Sequence, residues 1–280
     1  MIREIRFTKM AAAGNDFVVI MGAPHIKLPL KKLALEMCDR KLGVGADGLL
    51  IVERSRKSAD VRMRIFNADG SEAEMCGNGA RCVALWALVK PLTWKLHNKV
   101  SDNSLRIETM AGMIDAHVNG DNVRIQLTTP RDMKLDIPLT VNSRTLRVNF
   151  INTGVPHAVV FVEGLEKIDV AGIGKEIRNH RRFKPAGTNV DFVEIADKKL
   201  INVRTYERGV ENETLACGTG SVASALLTGV KLGLHVLNPV QVKTKSGEIV
   251  KVHAIIDNNA FREVWLEGKV KIIYKGEYYV

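Results

Sequence analysis

The sequence has 280 residues, 46% of them hydrophobic and 26% charged. That composition excludes intrinsic disorder, and the length suits one large domain or two, with a full core that needs no disulfide or metal staple. The net charge of +10 is spread along the chain, densest at Asn179–Lys184, with no basic tail or known module. This points to a solvated basic surface that attracts a small anion and away from a nucleic-acid partner. The apolar run Val83–Val89 stops at Lys90-Pro91, far short of the roughly 20 residues that span a bilayer, so no membrane segment is expected. The charged, alternating N-terminus reads as a strand and as neither a signal nor a transit peptide, which gives a cytoplasmic expectation with reduced thiols.

Along the chain, Ile5-Arg6-Phe7 alternates with period two and predicts a strand. Leu30, Leu33, Ala34, Met37 and Cys38 follow a helical stripe. Gly43-Val-Gly-Ala-Asp-Gly48 lacks the spacing and setting of a dinucleotide loop and predicts a glycine-rich turn into the strand Leu49–Val52. Val61–Ile65 alternates again. Ala80, Val83, Ala84, Ala87 and Leu88 form a second, amphipathic helical stripe. Val123–Leu127 is a further strand, and a domain crossover is placed near 120–130, ahead of Pro130 and Pro138. A less regular helix is predicted over Asp169–Asn179, a strand over Ile201–Thr205, and a helix over Val222, Ala225, Leu226, Gly229 and Val230. The alternating stretch Glu263–Val280 closes the chain.

Two of these helices begin alike. Arg64 to Gly79 and Arg204 to Gly220 each run strand, glycine turn, acidic loop and Cys-Gly-x-Gly, and the spacing between the copies is half the chain. An internal duplication is the simplest account, with two copies of one α/β unit, each presenting a cysteine. A cysteine at a helix N-terminus sits beside unpaired N–H groups and the positive end of the helix dipole. Both favour the thiolate and lower its pKa, and the same N–H groups form an anion site. Inverting a stereocentre at carbon needs a base on one face and an acid on the other, which a thiolate and a thiol supply. A carbanion beside a carboxylate also needs its charge stabilised, which converging helix N-termini do. The residues therefore point to a cofactor-independent racemase or epimerase of an α-amino acid, with Cys76 and Cys217 as the two acid/bases.

Other uses of the thiols fit less well. Cys76 and Cys82 lack zinc-pair spacing, a redox C-x-x-C is absent, and no metal site is expected. Cys38 and Cys82 read as packing residues. A Cys-His hydrolase using His157 would leave the second Cys-Gly-x-Gly unexplained. Gly14-Asn-Asp-Phe17 and Gly187-Thr-Asn-Val-Asp-Phe192 echo each other, either as ordinary turns or as amides aimed at a ligand. Glu207-Arg208 reads either as a surface salt bridge or as a pair in which Arg208 holds a substrate carboxylate and Glu207 an amine.

These residues carry a resemblance that runs nearly end to end. Gly14-Asn-Asp-Phe17, Phe66-Asn-Ala-Asp-Gly-Ser-Glu72, Met75-Cys-Gly-Asn-Gly-Ala-Arg-Cys82, Asn152-Thr-Gly-Val-Pro-His157, Gly187–Phe192, Tyr206-Glu-Arg-Gly209 and Ala216-Cys-Gly-Thr-Gly220 together resemble the diaminopimelate epimerases. The related proline and hydroxyproline racemases usually have His two residues after the first cysteine, where this chain has Asn78.

The resemblance implies an α+β fold of two pseudo-symmetric α/β domains. Each would be a curved, barrel-like β-sheet around a central helix, with the active site in the cleft between them. The expected domains are 1–120 with 266–280, and 121–265. It implies cofactor-free interconversion of LL- and meso-2,6-diaminopimelate, a small-molecule substrate of lysine and peptidoglycan precursor synthesis, by a homodimer. His157 and Glu207 would assist proton movement at Cys76 and Cys217. The backbone of Gly77, Asn78, Gly218 and Thr219 would cradle the reacting carboxylate, and Asn15, Asn67, Asn189 and Arg208 would recognise the distal end. Ala11-Ala-Ala13, Gly48 and Val155 depart from common family patterns and bear on that distal end.

Overall fold

The computed structural model describes residues 4–22, 29–90, 92, 103–257 and 260–280. They divide into two compact units, Met1–Ile125 with Gly268–Val280, and Gln126–Glu267.

The first unit opens with β1 (Glu4–Ala12) and β2 (Asn15–Met21), an antiparallel pair joined through Ala13 and Gly14, both at positive φ. Two successive left-handed residues match the twist of a hairpin, and glycine takes that backbone at least strain. Next comes α1 (Leu30–Cys38), whose buried Leu33, Ala34, Met37 and Cys38 lie on the predicted stripe. It carries the chain over to β3 (Gly48–Glu53), parallel to β2. Both strands are buried nearly throughout and read as continuous apolar runs, as strands covered on both faces must. β4 (Val61–Asn67) and the short β5 (Glu72–Ala73) follow. Then comes α2 (Gly77–Val89), which ends ahead of Pro91 because the residue before a proline is steered out of the helical region. β6 (Ser104–Thr109), β7 (Gly112–Asn119) and β8 (Asn122–Gln126) form a meander, with β6 parallel to β4.

The second unit repeats this order. It runs β9 (Arg131–Val141), β10 (Arg144–Asn152), β11 (Pro156–Phe161), α3 (Val170–Arg178), β12 (Asn189–Ile195), β13 (Leu200–Glu207), β14 (Asn212–Thr214), α4 (Gly218–Lys231), β15 (Val236–Lys243), β16 (Ile249–Asp257) and β17 (Ala260–Lys269). Within it, β11 and β12 are parallel across α3, and β13 and β15 are parallel across α4. The N-cap of α3 is Asp169, whose carboxylate accepts from the Gly172 N–H at 2.9 Å. The last strand, β18 (Lys271–Tyr279), returns to the first unit and pairs antiparallel with β1. The stretch Glu263–Val280, read as one alternating segment, is thus two strands that serve different units. With β18 in place the two pairing orders coincide: β18-β1-β2-β3-β4-β6-β7-β8 in one unit, β9-β10-β11-β12-β13-β15-β16-β17 in the other.

The sequence predicts amphipathic helices over 80–88 and 222–230, and the structure corrects this. Every residue from Asn78 to Ala87, and from Gly220 to Gly229, is buried. Helix α2 touches β1, β2, β3, β4, β6 and β7, and α4 touches β10, β11, β12, β13, β15 and β16, so each sheet curves round its helix. Each enclosed helix is mostly apolar on every face, with Arg81 in α2 and Ser221, Ser224 and Thr228 in α4 as buried polar exceptions, and the small residues Ala80, Ala84, Ala87 and Ala223, Ala225, Gly229 let strands approach closely. The shorter α1 and α3 pack on the outside, over Val18, Ile20, Leu49 and Ile51 and over Val148, Ala158, Val190 and Phe192. Among the described residues no helix is long and apolar enough to cross a membrane.

Candidate active site

Both cysteines of the repeated motif are N-cap residues. Cys76 precedes α2 and Cys217 precedes α4, each with extended backbone (φ −144° and −123°). The first i→i−4 bonds run from Ala80 N–H to the Cys76 carbonyl and from Ser221 N–H to the Cys217 carbonyl. The N–H groups of Gly77 and Asn78, and of Gly218 and Thr219, therefore have no carbonyl one turn back to bond, and the Gly220 N–H bonds the sulfur of Cys217. Free N–H groups at a helix start, aligned with the helix dipole, suit an anion. Cys38 and Cys82 are buried in packing positions, and burial pushes Cys38 up to about 11 and raises Cys82 further.

In the first unit the turn before α2 is stiffened by a chain of side chains. The fully buried Arg81 donates from Nη2 to Asn78 Oδ1 at 2.8 Å, and Asn78 Nδ2 donates to Asn15 Oδ1 at 2.7 Å. Asn15 Nδ2 donates to Asp47 Oδ2 at 3.0 Å, and Arg40 bridges Asp47 and Asp16 at 2.8 and 2.7 Å. Lys9 meets Asp16 at 2.6 Å and also bonds the Gly45 carbonyl. Burial raises Asp16, but the hydrogen bonds and charges of Arg40 and Lys9 outweigh it and hold the carboxyl at about 2. Asn15 and Asn78 are thus brought together. Asn67 is placed apart from this chain: it is exposed at the end of β4, and its Nδ2 donates to Ser71 Oγ at 3.0 Å within its own turn. At Gly48 a Cβ would lie 2.9 Å from the Phe66 carbonyl oxygen, so the backbone here sits too close to its neighbour for a side chain without a shift.

The second unit gathers Cys217, His157, Asn189, Glu207 and Thr219. His157 on β11 lies opposite Asn189 on β12 in register, which points both toward the start of α4. His157 Nδ1 is 2.7 Å from Asp191 Oδ2, with both side chains fully buried. His157 Nε2 is 3.0 Å from Thr219 Oγ1 and 3.3 Å from Asn189 Nδ2. Thr219 Oγ1 lies 3.5 Å from Cys217 Sγ. Asn189 Oδ1 accepts from the Arg208 N–H at 2.8 Å and so ties the turn after β13 to the same cluster. Arg208 Nη1 donates to the Ala186 carbonyl at 3.2 Å. Among the described residues no carboxylate pairs with Arg208, so the surface salt bridge with Glu207 does not form. Burial raises Glu207, with Thr214 and then His157 opposing and Asp191 adding to the rise.

The expected lowering of both thiols fails at Cys217. Burial pushes it well above its ordinary value, the carboxylates of Glu207 and Asp191 push the same way, and the hydrogen bonds of Thr219 and the Gly220 N–H only partly oppose them. The helix terminus favours the thiolate by a kilocalorie or so, less than the cost of placing a charge in a buried site beside two carboxylates. Sequence reasoning also missed Asp191, Thr205, Arg81, Asp47 and the hydroxyl of Thr219. The one available signal was the placing of Asn189 and Asp191 two apart beside the apolar Val190, Phe192 and Val193, hence on one face.

The family model for diaminopimelate epimerase matches residues 7–132 and 149–273. Diaminopimelate epimerase of Aquifex aeolicus is 42% identical over 97% of each chain. That of Hydrogenobaculum sp. is 39% identical over 96% of each. That of Archaeoglobus fulgidus is 42% identical over 87% of this chain and 88% of its own. Among solved structures, a phenazine biosynthesis protein of the PhzF family from Bacillus anthracis superposes with a TM-score of 0.74 at 19% identity, over 99% of this chain and 100% of that one. A probable proline racemase from Agrobacterium radiobacter gives 0.71 at 16%, over 97% and 92%. The two structures share the fold, and the family match with its near full-length relatives goes further: this chain belongs to the diaminopimelate epimerase family.

Proposed function

We propose that this protein interconverts LL- and meso-2,6-diaminopimelate, with Cys76 and Cys217 as the two acid/bases and no cofactor. The observation that carries the reading is the repeated Cys-Gly-x-Gly helix start, one in each unit of a chain from this family. One thiolate removes the α-proton, the other thiol returns a proton to the opposite face, and the roles exchange with direction. The negative charge that develops on the reacting carboxylate meets the unpaired N–H groups of Gly77 and Asn78, and of Gly218 and Thr219, which are already oriented. Burial, with the neighbouring carboxylates of Glu207 and Asp191, favours the thiol form of Cys217.

His157 and Glu207 assist proton movement beside Cys217. Arg208, with no carboxylate partner among the described residues, is suited to hold the distal carboxylate in a two-point grip, while Asn15, Asn67 and Asn189 supply amides to the distal amine and carboxylate. The enzyme works as a homodimer in the cytoplasm.

The test is deuterium incorporation from solvent at one α-carbon of diaminopimelate without added cofactor. Cys76→Ala and Cys217→Ala each abolish turnover. Full activity in either variant, or racemisation of proline-type substrates with no response to diaminopimelate, overturns the reading.

A further inference from the structure

The duplicated units can be compared position by position through their pairing registers. In the second unit His157 on β11 lies opposite Asn189 on β12, and Asp191 lies opposite Thr205 on β13. In the first unit the same steps give Phe17 on β2 opposite Gly48 on β3, and Leu50 opposite Ile65 on β4. The equivalents of His157, Asp191 and Thr205 are therefore Phe17, Leu50 and Ile65. The second glycine of each motif reports the same correspondence independently. A Cβ at Gly79 would meet Leu50 Cδ2 at 3.0 Å and Ile65 Cδ1 at 3.6 Å, whereas a Cβ at Gly220 would meet Asp191 Oδ1 at 2.3 Å. The fold is repeated, but the floor beneath the helix start is apolar in one copy and hydrogen-bonded in the other.

We infer that Asp191 is a positioning residue that fixes the tautomer of His157, and that with Thr205 and Thr219 it gives Cys217 a buried proton relay, where the equivalent positions of the first unit are Phe17, Leu50 and Ile65. The carboxylate of Asp191 has two partners. Its Oδ1 accepts from Thr205 Oγ1 at 2.7 Å, and its Oδ2 lies 2.7 Å from His157 Nδ1. Such a carboxylate is acceptor-only, so Nδ1 carries the hydrogen and Nε2 of the neutral ring is left as the acceptor. Nε2 faces the hydroxyl of Thr219 and the amide of Asn189, both able to donate.

The hydroxyl of Thr219 stands between Nε2 and the sulfur, at 3.0 and 3.5 Å. A proton leaving Cys217 Sγ passes to Thr219 Oγ1 while the hydroxyl's own proton passes to His157 Nε2. The sulfur becomes a thiolate, the threonine is unchanged, and the imidazolium faces the carboxylate of Asp191. The reverse transfer restores the thiol. With the tautomer reversed, Nε2 would carry a hydrogen and could take no proton from Thr219.

This inference rests on the epimerase reading only for its kinetic consequence, and the test separates the two. Nitrogen-15 NMR of His157 in the substrate-free protein should show the Nδ1–H tautomer, and Asp191→Asn should shift it toward Nε2–H. In Asp191→Asn, kcat should fall by about a hundredfold or more with KM little changed, as the loss of a tautomer-fixing carboxylate does elsewhere. Alkylation of Cys217 should slow at least tenfold while that of Cys76 is unchanged. Thr205→Val, which leaves the carboxylate but removes one of its donors, should give a smaller loss with the Nδ1–H tautomer retained. A wild-type Nε2–H tautomer, an unchanged tautomer in Asp191→Asn, or equal effects on the two thiols refutes the inference. A wild-type protein with the Nδ1–H tautomer but no exchange at diaminopimelate refutes the epimerase reading and leaves the tautomer assignment standing.

Discussion

Replacing the second glycine of each motif by alanine separates the two halves of the duplicated fold. Both Gly79 and Gly220 are third residues of their helices, where alanine by propensity alone gains about 1 kcal/mol. At Gly220 the added Cβ would lie 2.3 Å from Asp191 Oδ1. A carbon and an oxygen settle at about 3.3 Å, so the carboxylate must withdraw by roughly 1 Å. Oδ1 accepts from Thr205 Oγ1 at 2.7 Å, so the shift disrupts that bond and, through the rigid carboxylate, the 2.7 Å contact of Oδ2 with His157, in a site where His157 and Asp191 are fully buried. An unsatisfied buried polar pair costs about 1–3 kcal/mol, more when charged. At Gly79 the nearest atom is a terminal methyl of Leu50 at 3.0 Å, which yields by a few tenths of an ångström; the strain and the propensity gain offset to within about 1 kcal/mol. Calorimetry should therefore place Gly220→Ala below Gly79→Ala by about 2 kcal/mol, or roughly 4–8 °C in melting temperature. Deuterium wash-in should show a loss of about a hundredfold for Gly220→Ala, as displacement of a positioning group by an ångström does. If the two variants melt together and retain equal activity, the reasoning about the Asp191 contact is wrong.

In the substrate-free protein near neutral pH, iodoacetamide should modify Cys76 at least tenfold faster than Cys217, which is only 7% exposed and kept protonated by burial and its neighbouring carboxylates. Peptide mapping checks this, and Cys38 and Cys82 should stay unmodified. Arg208→Lys should raise KM for diaminopimelate by about ten- to hundredfold with a smaller change in kcat, because an ammonium cannot make the two-point contact of a guanidinium; an unchanged KM removes Arg208 from substrate binding. The carboxyl of Asp16 is held at about 2 in the folded protein, against about 3.9 when unfolded. Its ion pairs with Arg40 and Lys9 therefore contribute stability above about pH 4, and that contribution is lost as pH falls through about 2. Melting curves of Asp16→Asn should lack this acid-dependent component, and an identical pH dependence in the variant and the parent would count against the ion-pair network.

The chain's local pattern determined a good deal by itself. The helices at Leu30–Cys38, Ala80–Leu88 and Val222–Val230, the turn before Leu49, and the halving of the chain at the two Cys-Gly-x-Gly motifs are legible because periodicity and repetition are properties of one dimension. So was the placing of Cys76 and Cys217 at helix starts, since glycine-rich turns run directly into the helical stripes. Tertiary structure decided the rest. Enclosure of α2 and α4 on every side depends on six strands from distant parts of the chain, which no window of sequence contains. The meeting of His157 with Asp191, 34 residues apart, is set by the parallel register of β11 and β12. The same register puts Phe17 and Leu50 in the corresponding places of the other copy, so two motifs that look alike as sequence have different floors. Burial then reverses the effect of the helix terminus at Cys217: a dipole is inferred from a helix start, whereas desolvation depends on everything that packs around it.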